Sequence, residues 1–403
     1  MNIFKKLYCR TFQTVFKIAL PFLPYREPKV LKTDDEVVEV LKSNNIKNVL
    51  FVTDKGIRGL SLTKSLEGKI SASGIALSVY DAVVPNPTSA NVEEALKMYK
   101  ENSCTAIIAF GGGSVMDCAK ATGARVVYPK KSLAQMKGVM KVLKRLPLLV
   151  AVPTTAGTGS ETTLAAVITD SETRHKYAIN SFPLIPDYAL LNAKLTTGLP
   201  KHITSTTGMD ALTHAVEAYI GRSTTKQTEA CAKKAVKLIF ENIEEAYTNG
   251  GNLKARENML VASYNAGLAF TKSYVGYVHA VAHSLGGKYN IAHGLANAII
   301  LPVVLKKFGK SVHKKLWQLG VYAELFHKTT SKEEGAKLFI EKIEDLNKNM
   351  NIETTIPEIN ENDIPALAKT AEHEANPLYP VPKLFTAKEL EEVYHELKNR
   401  RNI

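Results

Sequence analysis

The sequence predicts an α/β half followed by an all-helical half, with the boundary near residue 200. Three observations predict it. Up to about residue 200, β-branched apolar runs alternate with segments of helical period, the pattern of a parallel sheet covered by helices. Two of those apolar runs end in turns crowded with glycine or hydroxyl side chains, GGGS and PTTAGTGSETT. After Pro200 apolar residues recur at spacings of three and four, and strand-like runs cease. A chain of 403 residues, 45% hydrophobic and 23% charged, has the length for two or three domains and the composition of a globular protein.

Residues 1–30 read as a basic amphipathic extension. They carry six Lys/Arg against one Glu as far as Lys29. Phe4, Tyr8, Phe12, Val15, Phe16 and Ala19 recur at helical spacing and form one apolar stripe. Lys17 interrupts the apolar run, no small-residue cleavage site follows, and Pro21 and Pro24 end the helix, which argues against a signal peptide. The segment is too short and too charged to span a bilayer. Two readings stay open: a helix packed on the body of the protein, or a helix whose residues 1–24 rest on a membrane or a partner.

Residues 31–200 follow as the α/β part. NVLFVTD (48–54) and IALSVYDAVV (75–84) read as strands, ANVEEALKMYKEN as a helix, CTAIIAF (104–110) as a strand and LPLLVAVP (146–153) as another. AIIAFGGGSVMDCAKA joins a strand to a helix through three glycines and a serine. Glycine lets the backbone approach a phosphate, and the helix N-terminus offers unpaired N–H groups. The GxGxxG fingerprint is absent, so GGGS alone is also consistent with a tight turn, and Asp117 with an ordinary first-turn acid. PTTAGTGSETT (153–163) follows the next strand, where parallel sheets bind ligands. Asp54 also ends a strand, as a ribose ligand or as a turn cap.

Residues 201–403 are predicted to be helical. In GMDALTHAVEAY (208–219), Asp210 and His214 share a helix face among small and apolar neighbours. HAVAHSLGGKYNIAH (279–293) adds His279, His283 and His293. Buried carboxylates and imidazoles need partners, either one another or a metal. One Asp and three His suit Fe(II), Zn(II), Mn(II) or Co(II). Spacing alone favours His279 with His283 as the ligand pair, and Gly286-Gly287 is expected to end or bend the helix between them and His293.

VPNPT (84–88), GGGSVMD (111–117), PTTAGTGSE (153–161), GMDALTHAVEAY and HAVAHSLGGKYNIAHGLANAIILP (279–302) together resemble the iron-containing alcohol dehydrogenases, over roughly residues 30–400. The likeness is to the lactaldehyde/propanediol and butanol dehydrogenase branch. It implies the architecture shared by those enzymes and dehydroquinate synthase: an α/β dinucleotide-binding domain, an all-α metal-binding domain, and cofactor and metal meeting between them. It implies a metal, Fe(II) or Zn(II), on Asp210, His214, His279 and His293, with His283 left for proton transfer. It carries cofactor contacts onto Asp54, Asn86, Gly112, Gly113, Ser114, Asp117, Thr154, Thr155, Thr163, Val167 and Lys176, and onto Leu195 and Thr196. An acid matching Asp54 goes with NAD rather than NADP. The implied reaction is hydride transfer between NAD(H) and a primary alcohol, aldehyde or small diol, the metal polarising the substrate oxygen, in a homodimer.

Two relatives on the same scaffold are alternatives. A non-redox enzyme of the dehydroquinate synthase type needs several Lys or Arg near the metal, where these motifs carry Ala, Val, Tyr and Gly. A glycerol dehydrogenase-like polyol oxidation fits the Asp-x-x-x-His spacing less well. The net charge of +13 is spread along the chain without a nucleic-acid motif, so no nucleic-acid partner is expected. Cys9, Cys104, Cys118 and Cys231 lie far apart without CxxC spacing, which suits a reducing cytoplasm.

Overall fold

The computed structural model of the chain describes residues 1 and 3–399. It divides into two compact units, residues 24–198 and residues 1–23 together with the chain from Leu199 onward. The chain opens with helix α1 (Ile3–Ala19), which belongs to the second unit.

The α/β unit runs β1 (Lys29–Leu31), α2 (Asp34–Ser43), β2 (Asn48–Val52), α3 (Lys55–Gly59), α4 (Lys64–Ala72) and β3 (Ala76–Tyr80). It continues with α5 (Ser89–Glu101), β4 (Ala106–Gly111), α6 (Gly113–Val127), β5 (Gly138–Val139), β6 (Leu148–Pro153), β7 (Ala165–Thr169), β8 (Lys176–Asn180) and β9 (Tyr188–Leu190). Six strands form one parallel sheet in the order β1-β9-β6-β4-β2-β3. Its central strands AIIAFG and LLVAVP are almost wholly buried, as expected of a sheet covered on both faces. Each buried Val, Ile, Leu or Phe there contributes roughly 1.5–3 kcal/mol. A capping box between Thr88 and Asn91 starts α5.

Two differences from the sequence reading have simple causes. The strand expected over 75–84 ends at Tyr80, because its partner β2 ends at Val52, directly opposite. A second sheet of order β5-β8-β7, containing the antiparallel pair β7 and β8, was not expected. Both of its longer strands alternate buried and partly exposed residues, a period-two signal spread over only five residues each.

The second unit contains α7 (Lys201–Ile220), α8 (Lys226–Thr248), α9 (Leu253–Ser273), α10 (Tyr277–Tyr289) and α11 (His293–Phe308). It ends with α12 (His313–Tyr322), α13 (Lys332–Asn349), α14 (Ile364–Ala375) and α15 (Ala387–Asn399). Among the described residues no strand follows Leu190. In α8 the buried positions Ala232, Ala235, Val236, Ile239, Ile243 and Ala246 recur every three or four residues, so the apolar stripe faces inward.

In α1 the stripe faces the other way. Phe4, Tyr8, Phe12 and Val15 are exposed, Phe16 and Ala19 are half-buried, and the buried side chains are Cys9 and Gln13. The helix does rest on the body, but through its polar side. It stops at Ala19, where a 3-10 turn containing Pro21 takes over.

Candidate functional site

Helix α7 is buried along most of its length, so its polar side chains must find partners. It carries Asp210 and His214 one turn apart. Helix α10 carries His279 and His283, and His293 begins α11. One ligand atom each from Asp210, His214, His279 and His293 falls within 4.8 Å of the others. A side chain at Gly294 would put its Cβ 2.5 Å from the carbonyl oxygen of Thr206 on α7. Glycine therefore lets α11 begin against α7 and hold His293 Nε2 3.5 Å from Asp210 Oδ1.

The chemistry of this group fits a divalent cation. Asn297, one turn along α11 from His293, sets its amide nitrogen 2.6 Å from Asp210 Oδ1, 3.0 Å from His293 Nε2 and 3.3 Å from His279 Nε2. An amide nitrogen has two hydrogens, and three atoms that can accept converge on it when both histidines carry their hydrogen on Nδ1. Lone pairs outnumber donors at that point, a condition that a bound cation relieves. Nitrogen and oxygen donors without sulfur suit iron or zinc.

Glu217, three residues after His214, aims the cluster. Its carboxylate lies 2.6 Å from His279 Nδ1 and accepts the N–H groups of Gly276 and Val278, each at 2.8 Å. A hydrogen on Nδ1 leaves His279 Nε2 with the lone pair that a metal needs. Gly276 is required here, since a Cβ would meet Glu217 Oε1 at 2.6 Å. Burial pushes Glu217 up to about 7 against these hydrogen bonds. Burial, with the imidazoles of His214, His293 and His283, holds His279 well below the ordinary histidine value. His214 stacks on Phe270 at 4.0 Å and on His279 at 4.5 Å.

His283 stands outside the group of four, which overturns the choice made on spacing alone. Its Nδ1 lies 2.6 Å from Glu374 Oε1, and the Tyr379 hydroxyl donates to the same oxygen at 2.7 Å. Burial raises the Glu374 carboxyl, but His283 and Tyr379 outweigh it and hold Glu374 below its usual value. The i,i+4 spacing puts His279 and His283 on one helix face, but it does not make their nitrogens converge. The expected break at Gly286-Gly287 is also corrected. Helix α10 runs through both glycines and ends at Asn290, whose left-handed backbone (φ 56°, ψ 31°) turns the chain toward His293.

In the α/β unit, β4 and β6 are neighbours with Gly111 opposite Pro153, so the glycine turn and the hydroxyl-rich turn start side by side at the strands' carboxyl ends. Helix α6 starts at Gly113 with no side-chain cap, which leaves its first N–H groups available to an anion. Gly112 faces Thr155, whose Oγ1 would lie 3.7 Å from an added Cβ, and Gly113 faces Thr158. The Asn86 N–H donates to Ser114 Oγ, and Lys176 Nζ donates to Asn86 Oδ1 at 2.8 Å. Asp117 accepts from Ser160 Oγ and from the Val167 N–H, and burial pushes it up to about 6. Thr154 donates its N–H to the Gly111 carbonyl. Lys120, fully buried, reaches Ser160, Thr163 and Ala165 at 2.7–3.1 Å and ties the hydroxyl turn to α6. Burial pushes Lys120 down to about 8 against the pull of Asp117 and Glu161.

Three other residues expected to contact the cofactor have local partners of their own. Asp54 accepts the Ile57 N–H at 2.8 Å as the N-cap of α3. Leu195 packs in the core layer that holds Leu31 and Leu190, and Thr196 donates to the Ala193 carbonyl.

Residues 32–193 match the family model of iron-containing alcohol dehydrogenase, and residues 204–397 match that of the Fe-containing alcohol dehydrogenase family, C-terminal. The 1,3-propanediol dehydrogenase of Citrobacter freundii is 35% identical over 387 residues, 95% of this chain and 98% of that protein. The chain belongs to the iron-containing alcohol dehydrogenase family. The crystal structure of a 1,3-propanediol oxidoreductase superposes with a TM-score of 0.88 at 34% identity, covering 93% of this chain and 98% of that one. The sulfoacetaldehyde reductase of Bifidobacterium kashiwanohense, solved in complex with NAD+, superposes with a TM-score of 0.83 at 28% identity, covering 94% and 99%. The protein is thus an alcohol dehydrogenase, an oxidoreductase that works with NAD(H) and a metal on alcohol and aldehyde substrates.

Sequence reasoning missed Glu217, Asn297, Glu374 and Lys120. The first two had a signal: Glu217 lies three residues after His214 and Asn297 four after His293, each on its ligand's helix face. Glu374 is 91 residues from His283, and no spacing links them.

Proposed function

We propose that this alcohol dehydrogenase is an Fe(II)-dependent, NAD-linked enzyme of small primary alcohols and short diols such as 1,3-propanediol. The convergence of Asp210, His214, His279 and His293 carries the metal assignment. Similarity along nearly the whole chain to the 1,3-propanediol dehydrogenase supports the substrate class. Fe(II) held by those four residues supplies Lewis acidity toward the substrate oxygen. Glu217 and Asn297 hold the ligands in aim. Nδ1–H of His283, given to Glu374, leaves Nε2 as the atom that takes or returns the proton at the alcohol oxygen.

In the α/β unit, the free N–H groups of α6 with Gly112, Gly113 and Ser114 receive the NAD pyrophosphate, and Asn86, Asp117, Thr154, Thr155, Thr163, Val167 and Lys176 line the cofactor's path. Leu195 and Thr196 complete that set. Asp54 takes the ribose hydroxyls and repels a 2′-phosphate, which favours NAD over NADP. The same proposal makes the enzyme a cytoplasmic homodimer. The wide spacing of its four cysteines supports that compartment, and light scattering tests the assembly.

Anaerobically purified protein, loaded in turn with Fe(II) and Zn(II), is assayed against a panel of alcohols, diols and aldehydes with NAD and with NADP. The highest kcat/KM is expected with Fe(II), NAD and a short diol or primary alcohol. A preference for NADP or for bulky secondary alcohols would refute the proposal.

A further inference from the structure

Helix α1 presents its apolar side outward. Ile3, Phe4, Leu7, Tyr8, Val15 and Ile18 are 60–79% exposed, and Phe22 on the following turn is 84% exposed. Three of its polar residues are bonded to the helical unit. Arg10 donates to the carbonyls of Val381 and Pro382 at 2.7 and 3.0 Å, Gln13 donates to that of Tyr379 at 2.7 Å, and Lys5 pairs with Glu372 at 2.7 Å. Phe16 adds an edge-on contact with Tyr274. An ordinary surface helix buries its apolar stripe and exposes its polar one, as α8 does. Here the arrangement is reversed, and it is held by hydrogen bonds of Gln13, buried, and Arg10, part-buried. Exposed apolar patches of this kind mark interaction surfaces.

Charge indicates what covers the patch. Between Ile3 and Ala19 there are four basic residues, Lys5, Lys6, Arg10 and Lys17, and no acid. Lys6 and Lys17 are exposed, each one turn from a residue bonded to the body, Arg10 and Gln13. Burial lowers Lys315 and the neighbouring Glu229 opposes it, while Lys17 and Lys233 add to the lowering. A second copy of the chain would bring these cations against themselves, as would any basic partner. No helix among the described residues is long and apolar enough to cross a membrane. The 17-residue α1 is about 25 Å long and suited to lie flat.

We propose that α1 is an interfacial anchor that docks the folded enzyme on an anionic lipid bilayer, with Phe4, Leu7, Val15, Ile18 and Phe22 among the acyl chains and Lys6 and Lys17 at the lipid phosphates. The polar side of α1 stays bonded to residues 377–382 throughout, so attachment requires no unfolding.

The test is co-sedimentation of the full chain with vesicles of phosphatidylcholine alone and of phosphatidylcholine mixed with phosphatidylserine. Binding is expected only to the mixed vesicles and falls as salt rises. The double variant Lys6→Glu/Lys17→Glu lowers that binding by at least about tenfold. Phe4→Ser/Leu7→Ser/Ile18→Ser lowers it to a similar degree, while dehydrogenase activity and melting temperature stay at wild-type values because these side chains face outward. In Phe4→Trp the emission shifts to the blue with mixed vesicles and not with phosphatidylcholine. Three outcomes overturn the proposal. One is no binding to the mixed vesicles at low salt, and another is binding that survives both sets of substitutions. The third is a fall in molar mass by light scattering, without lipid, in the serine variant, which assigns the face to a second copy of the chain.

Discussion

The proposed metal cluster and the proposed phosphate cradle are built on opposite principles. The cluster consists of four side chains from three helices, aimed at one point by Glu217 and Asn297. The cradle consists mainly of backbone N–H groups and hydroxyls supplied by two adjacent strand ends. A site that depends on a few converging lone pairs fails when one is lost. A site spread over many weak donors degrades gradually. The two regions therefore should answer substitution on different scales.

The largest effect is expected at the cluster. His279→Ala or Asp210→Ala removes a ligand, and kcat/KM falls by about a thousandfold or more together with metal content, read by metal analysis of the purified variants. His283→Ala separates metal from chemistry. Metal content stays at the wild-type level while kcat drops by about a hundredfold, with the rate's pH dependence altered. Equal metal loss in His279→Ala and His283→Ala would place His283 among the ligands after all.

Glu217→Gln tests the aim of a ligand rather than its presence. Metal affinity falls by about 10- to 100-fold by competition with a chelator, with the fold retained. The sign of its pH dependence follows from burial. Glu217 titrates at about 7, so its carboxylate form, which holds His279 Nδ1–H, dominates above that pH and is lost below it. Metal affinity of wild-type protein should thus fall as pH drops through about 7, and this component should vanish in Glu217→Gln. The smallest change is expected in the cradle. Ser114→Ala removes one hydroxyl that accepts the Asn86 N–H, and KM for NAD rises about fivefold with metal content unchanged. A thousandfold loss there would show the cradle to be as concentrated as the cluster.

How much of this was legible depended on distance along the chain. Strands β2, β4 and β6 were readable because a buried parallel strand is a continuous apolar run. The short pair β7 and β8 was not, because alternation over five residues is a weak signal. The four metal-cluster residues were nameable, but burial and residue type alone supported any three of the histidines. Family resemblance pointed to His279 and His293, and the geometry brings those two together with Asp210 and His214. Glu374 lay beyond inference, since its partner His283 is distant in sequence and near only in the fold.

Helix α1 makes the same point in reverse. Its amphipathic period was plain in the sequence, and its direction was not. A helical repeat fixes which residues share a face, because 3.6 residues complete a turn. It does not say which face meets the protein, because that depends on the surface the helix lands on. Here the landing surface offers the carbonyls of Tyr379, Val381 and Pro382 to Gln13 and Arg10, so the polar side went in and the apolar side stayed out. Sequence by itself determined the fold class, the Asp and His candidates for a metal site and the period of each helix, all of which follow from local pattern and side-chain type. Only the tertiary structure decided which nitrogens converge, which carboxylates aim them and which way α1 faces, because each of these requires groups brought together from distant parts of the chain.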